Sequence, residues 1–181
     1  MTHAVTRYVA FLRAINVGGH TVKMDRLRGL FETLRLGDVK TFIASGNVLF
    51  DSASKSVDAL ETRIERHLYE ALGYRVATFV RPLADLPAIA ASHPFEGFEA
   101  HGHSLSVGFF KAPLSADVRK RLAALEQGYD AFHLHDRQAY WLCRGRMSDS
   151  KAWGAPLDKA LGASATFRNI TTVRKLAALS L

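Results

Sequence analysis

The 181-residue chain has one cysteine, no low-complexity or linker-like stretch, and no apolar run approaching the ~20 residues of a membrane span. Each absence excludes something. A lone Cys143 rules out an internal disulfide and a cysteine-based zinc site. Its setting, Tyr140-Trp141-Leu142-Cys143, reads as a strand interior, so a packed thiol is expected rather than an exposed nucleophile. Residues 1–9 lack a basic stretch leading into a long apolar one, and the expectation is a soluble, cytoplasmic protein with no membrane partner. There is no Walker P-loop, no G-x-S-x-G elbow and no G-x-G-x-x-G fingerprint, which removes the nucleotide-hydrolase, serine-hydrolase and dinucleotide readings that those motifs carry.

What is present is a large apolar fraction, 48%, enough for a substantial core. A chain of this length buries roughly 70% of its unfolded surface. Lys and Arg outnumber Asp and Glu by 24 to 17, and the pI is near 9.8. The excess lies at the two ends: residues 1–50 carry a net +4, residues 51–136 a net −3 and residues 137–181 a net +6. If the ends meet in the fold they form a positive face suited to phosphates; scatter over a solvated surface accounts for the same numbers.

Hydrophobic spacing gives the elements. Residues 7–13 read as a strand apolar on both faces, followed by the loop Asn16-Val17-Gly18-Gly19-His20. Met24, Leu27, Leu30, Phe31 and Leu34 recur at helical spacing, with Gly37 as the expected stop. Residues 39–43 and 48–50 form a hairpin through Ala44-Ser45-Gly46-Asn47. Ser56 caps a second helix that Gly73 ends, and residues 74–80 form another strand. The order β-α-β-β-α-β is the ferredoxin-like pattern. After a short helical segment through Ile89, a Gly- and His-rich link leads to a strand at Leu105, Val107 and Phe109 and a helix capped by Ser115 and closed by Gly128. A hairpin turning at Asp136-Arg137 and two helical stretches, 155–161 and 171–179, complete the chain. The expected class is α+β: a ferredoxin-like βαββαβ unit (residues 1–81) packed against a similar βαββαα unit (residues 82–181), the two sharing one interior.

In such a unit the first strand ends at the edge where the hairpin between the second and third strands turns. Gly18-Gly19 and Ser45-Gly46-Asn47 are therefore expected side by side, with Arg13 at the strand end and Lys23 at the following helix start. Glycine lets backbone N–H groups approach an anion, and a helix start adds its positive dipole end. Asn16, Ser45 and Asn47 add hydrogen bonds, and Arg13 and Lys23 add charge. Ordinary turn chemistry explains the same letters. The tail offers a second candidate: Asn169 or Thr171 can cap the last helix beside Arg168, with Thr172 and Lys175 on one helix face. Ser150 and Lys151 could pair as nucleophile and base, or lie in an exposed loop.

Eight histidines raise a metal reading, but His133, His135, His101 and His103 have no carboxylate or thiol at a familiar ligand spacing; no metal and no cofactor are expected. The strand Asn47-Val48-Leu49-Phe50 lacks the basic-aromatic pattern on which RNA-recognition modules stack bases.

Several of these segments together resemble a known family. Residues 12–19 (Leu-Arg-Ala-Ile-Asn-Val-Gly-Gly), 45–50 (Ser-Gly-Asn-Val-Leu-Phe), Ser150-Lys151 and 166–176 are similar to the bacterial domain of unknown function 1697, with similarity along nearly the whole chain. Ala14 stands where that family usually has glycine, and Ile170 where it usually has tryptophan. The resemblance implies a compact α+β fold of two subdomains and brings no established reaction, substrate or cofactor. Three functions remain open on the sequence: a binding protein for a phosphate-bearing ligand or nucleic acid, its site combining the Gly18-Gly19 loop, the Ser45-Gly46-Asn47 turn and the Arg168-Asn169 helix start; an enzyme acting on a small phosphorylated or carboxylated metabolite, with Lys151 or Lys175 as acid–base group; or an interaction module whose motif residues are structural.

Overall fold

The computed structural model describes residues 4–43 and 46–181. The chain divides into two compact units, one running to Leu86 and the other from Pro87, with Ser180 grouped with the first.

The first unit contains β1 (Thr6–Leu12), α1 (Met24–Thr33), β2 (Gly37–Thr41), β3 (Asn47–Ser52), α2 (Val57–Leu72) and β4 (Thr78–Pro82). Its sheet is antiparallel with strand order β2-β3-β1-β4. Central β1 is buried from Tyr8 through Leu12, as its unbroken apolar run requires. Tyr8, Ala10 and Leu12 join Val48 and Phe50 in a core closed by Leu27 and Phe31 of α1 and by Leu60, Ile64 and Leu68 of α2. The 3.6-residue period of those last three positions puts them on one stripe of α2. Ser56 Oγ accepts from Ala59 N at the start of α2, and Gly73 (φ 81°) ends it in the left-handed conformation, both as expected.

Two boundaries differ from the sequence reading. Helix α1 closes at Thr33, and Arg35 takes the left-handed turn (φ 58°), so Gly37 opens β2 instead of stopping the helix. Strand β4 begins at Thr78, because Tyr74 turns back onto the loop after β1, its hydroxyl donating to Ile15 O at 2.9 Å. β4 lies at the sheet edge, where outward N–H groups need partners. Glu65 Oε1 accepts from Thr78 N and Glu61 Oε1 from Val80 N, each at 2.9 Å. Glu61 and Arg81 are both buried, with their charged groups 4.0 Å apart.

A 3-10 turn (Leu83–Asp85) and α3 (Leu86–Ala91) follow β4. The second unit then runs β5 (Ser104–Phe109), α4 (Ala116–Ala123), β6 (Asp130–His135), β7 (Gln138–Cys143), α5 (Ala155–Leu161), β8 (Thr166–Asn169) and α6 (Ile170–Ala178). Its strand order, β6-β7-β5-β8, repeats that of the first unit. The repeat is therefore more complete than its sequence suggests, since the four residues of β8 stand where no clear final strand was legible. β8 pairs with β5, and Gly108 makes the pairing possible: a Cβ there would stand 2.6 Å from Phe167 Cε1. Helix α4 ends at Ala123, well before Gly128. One face of this sheet packs Ala139, Trp141 and Cys143 against Val118, Leu122, Leu157 and Leu161. No helix among the described residues is long and apolar enough to cross a membrane.

Candidate functional site

The first unit gathers most of its candidate residues at one end of its sheet. Leu12 N donates to Gly46 O and Arg13 N to Ala77 O, each at 2.8 Å, so the chain leaving β1 is held between the hairpin turn and the approach to β4. Gly46 (φ 79°) sits hard against this chain; a Cβ would stand 3.0 Å from Ile15 Cγ2 and 3.1 Å from Leu12 Cβ. Asn16 Oδ1 then accepts from Val22 N at 2.7 Å and closes the loop. The His20 ring stacks on Tyr74 with centroids 3.8 Å apart. Between these ties Gly18 (φ 69°) and Gly19 (φ 83°) are exposed, with no heavy atom within 4 Å of where a Cβ would stand. Glycine there serves the backbone conformation, since no neighbour demands the space. Lys23, the N-cap of α1, is exposed and makes no capping bond through its side chain.

Asn47 is fully buried, its amide donating to Phe42 O at 3.0 Å and Ile43 O at 3.4 Å. It holds the hairpin in shape. Ser45 lies outside the described residues.

In the second unit, Asn169 Oδ1 accepts from Thr171 N at 2.8 Å and caps α6, as its position suggested. Thr172 is half-buried on that helix and Lys175 exposed. Arg168 donates to Thr166 Oγ1 at 2.8 Å and to Phe167 O at 3.0 Å. Burial lowers its pKa to about 10, which leaves the guanidinium charged at neutral pH.

Ser150 is buried, and its hydroxyl points at both carboxylate oxygens of Asp130 at 2.8 Å while accepting from Ala152 N at 3.0 Å. Asp130, itself buried, also accepts from Trp141 Nε1 at 2.8 Å and more weakly from Cys143 Sγ at 3.4 Å. Burial first, and then the Asp130 carboxylate, push the Cys143 thiol up to about 12. Exposed Lys151 lines a neighbouring cavity of about 240 Å³ with Tyr129, Asp130 and Asp149. Sequence reasoning singled out Ser150 and Lys151 and missed Asp130, a carboxylate that opens β6 in the sequence Asp-Ala-Phe-His-Leu-His. Among the described residues no group of three or more His, Cys, Asp or Glu converges as a metal site would require.

Two units of one βαββαβ plan, each built on an antiparallel sheet of identical strand order, define a mixed α+β protein of duplicated ferredoxin-like architecture. Residues 5–140, three quarters of the chain, match the family described as "Protein of unknown function (DUF1697)", and the chain belongs to that family. It is similar in fold to a conserved bacterial protein, SP0830, from Streptococcus pneumoniae. The TM-score is 0.76 and the identity 22%, over 98% of this chain and all of that one. No curated protein matches the chain.

Proposed function

We propose that the glycine-loop end of the first unit binds a phosphate-bearing anion, either a small phosphate ester or the backbone of a nucleic acid. One observation carries this reading. The loop is fixed through Asn16, Ile15 and His20, yet the N–H groups of its two exposed glycines meet no acceptor among the described residues. A loop held in place before its ligand arrives loses little entropy on binding. Free N–H groups beside a helix start, with Lys23 adjacent, favour an anion at this exposed loop.

Calorimetric titration with pyrophosphate, a mononucleotide and a short single-stranded oligonucleotide tests the reading and separates the two sources of phosphate. Affinity should fall as salt rises, because the site is exposed and its charges are screened. Lys23→Ala should weaken binding about threefold to tenfold, the loss of about 1 kcal/mol. Salt-insensitive binding, or none to any phosphate probe, overturns the proposal.

A second reading has its own support: Asn16, Asn47, Arg168 and Asn169 all direct polar side-chain atoms at nearby backbone. On that account the motif residues only hold each unit together. Every phosphate probe then fails, while Asn47→Ala still lowers stability.

A further inference from the structure

We propose a second ligand site in the first unit, away from the glycine loop: a cleft between α2 and the approach to β4 that takes an organic phosphate carrying a planar ring. The cleft has a volume of about 370 Å³, within the usual range for small-ligand sites. Its helical wall is Thr62, Glu65, Arg66 and Tyr69, and its other wall is Arg75, Val76 and Ala77. The first four positions fall at i, i+3, i+4 and i+7, one face of α2, distinct from the Leu60, Ile64 and Leu68 stripe buried in the core. The cleft lies on the open side of the sheet: β4 is its edge strand among the described residues, and the second wall is the segment leading into it.

Its side chains divide the work of recognition. Tyr69 is 52% exposed, and its ring presents the apolar surface on which another ring can stack. Arg75 stands over that ring with its guanidinium carbon 6.0 Å from the centroid. Neither Arg75 nor Arg66 forms an ion pair with any carboxylate among the described residues. Glu65, the one acid in the lining, gives Oε1 to Thr78 N and so faces the strand edge. Two guanidinium forks against one engaged carboxylate leave a positive site, and their planar donors suit phosphate oxygens. A ring stacked on Tyr69 would put a phosphate substituent within reach of both.

Titration of the full-length protein with phenyl phosphate, adenosine 5′-monophosphate, benzoate and inorganic phosphate is the test. Ring phosphates should bind at least tenfold more tightly than inorganic phosphate and more tightly than benzoate. Arg66→Ala with Arg75→Ala should abolish that preference, and Tyr69→Ala should remove the advantage of a ring, with far-ultraviolet circular dichroism showing each variant folded. In a Lys23→Ala background, where the glycine loop is weakened, the preference for ring phosphates and its loss in the double arginine variant should both persist, which separates this site from the glycine loop. Equal binding of inorganic and ring phosphates, benzoate binding as well as phenyl phosphate, or full affinity in the double arginine variant each overturns the proposal.

Discussion

Replacing Asp130 with alanine should unfold the second unit far more readily. The Asp130 carboxylate is 4% exposed and receives the indole N–H of Trp141 and the hydroxyl of Ser150, each at 2.8 Å. Alanine leaves both donors buried without their acceptor. An orphaned buried donor costs about 1–3 kcal/mol. The Ser150 hydroxyl can turn, whereas the indole N–H is fixed by its ring, so the expected loss is about 3 kcal/mol. Asp130→Asn keeps an acceptor for Trp141 and should lose only about 1 kcal/mol. Urea unfolding followed by tryptophan fluorescence reads this directly, because the chain's two tryptophans, Trp141 and Trp153, both belong to the second unit. With a urea dependence of about 1–3 kcal/mol per molar, the midpoint should drop by about 1–3 M. Ser150→Ala combined with Asp130→Ala should cost less than the two separately, since they share one bond. An Asp130→Ala midpoint within 0.3 M of wild type (on the order of 0.5 kcal/mol), or strict additivity with Ser150→Ala, would show that the network does not hold the unit together.

Cys143 should resist a thiol reagent such as dithionitrobenzoate at pH 8 until the protein unfolds; rapid labelling of native protein contradicts its burial and raised pKa. The folded thiol keeps its proton to about pH 12, against an ordinary value of 9.0, so above pH 9 the unfolded state releases a proton that the folded state retains. Stability should therefore decline between pH 9 and pH 12, by up to ~1.4 kcal/mol per pH unit, and alkaline unfolding of Cys143→Ala should be shallower over that window. Gly46→Ala should destabilise the first unit by about 1–3 kcal/mol, since a Cβ at that positive φ also crowds Ile15 and Leu12. Thermal unfolding checks it, and an unchanged midpoint removes the tight contact between loop and hairpin.

Much of this architecture was legible because strong local signals agreed with it. Ser56 and Gly73 bracket α2, and the turn at Asp136-Arg137 joins the alternating Phe-His-Leu-His of β6 to the apolar run of β7. β8 was hidden because four residues, one of them an arginine, carry too little pattern, and Asn169 turns at once into the cap of α6. Gly37 misled because a glycine after a helical run usually ends the helix, whereas here Arg35 accepts the left-handed turn. At the candidate site, the approach of Gly46 to the chain leaving β1 followed from strand order alone. The ties that fix the loop did not: the His20 stack on Tyr74 joins residues 54 positions apart with no pattern between them. The polar stripe of Thr62, Glu65, Arg66 and Tyr69 reads in sequence as an ordinary solvated helix face. Only the placement of Arg75 beside it makes a cleft.

The most direct test of the anion-binding account is an amide-resolved nuclear magnetic resonance titration of the labelled protein with pyrophosphate. The Gly18 and Gly19 amide signals should move furthest and saturably, together with those opening α1, and Lys23→Ala should reduce the movement. If those two amides stay fixed while others shift, or nothing shifts at millimolar ligand, the loop is not the site.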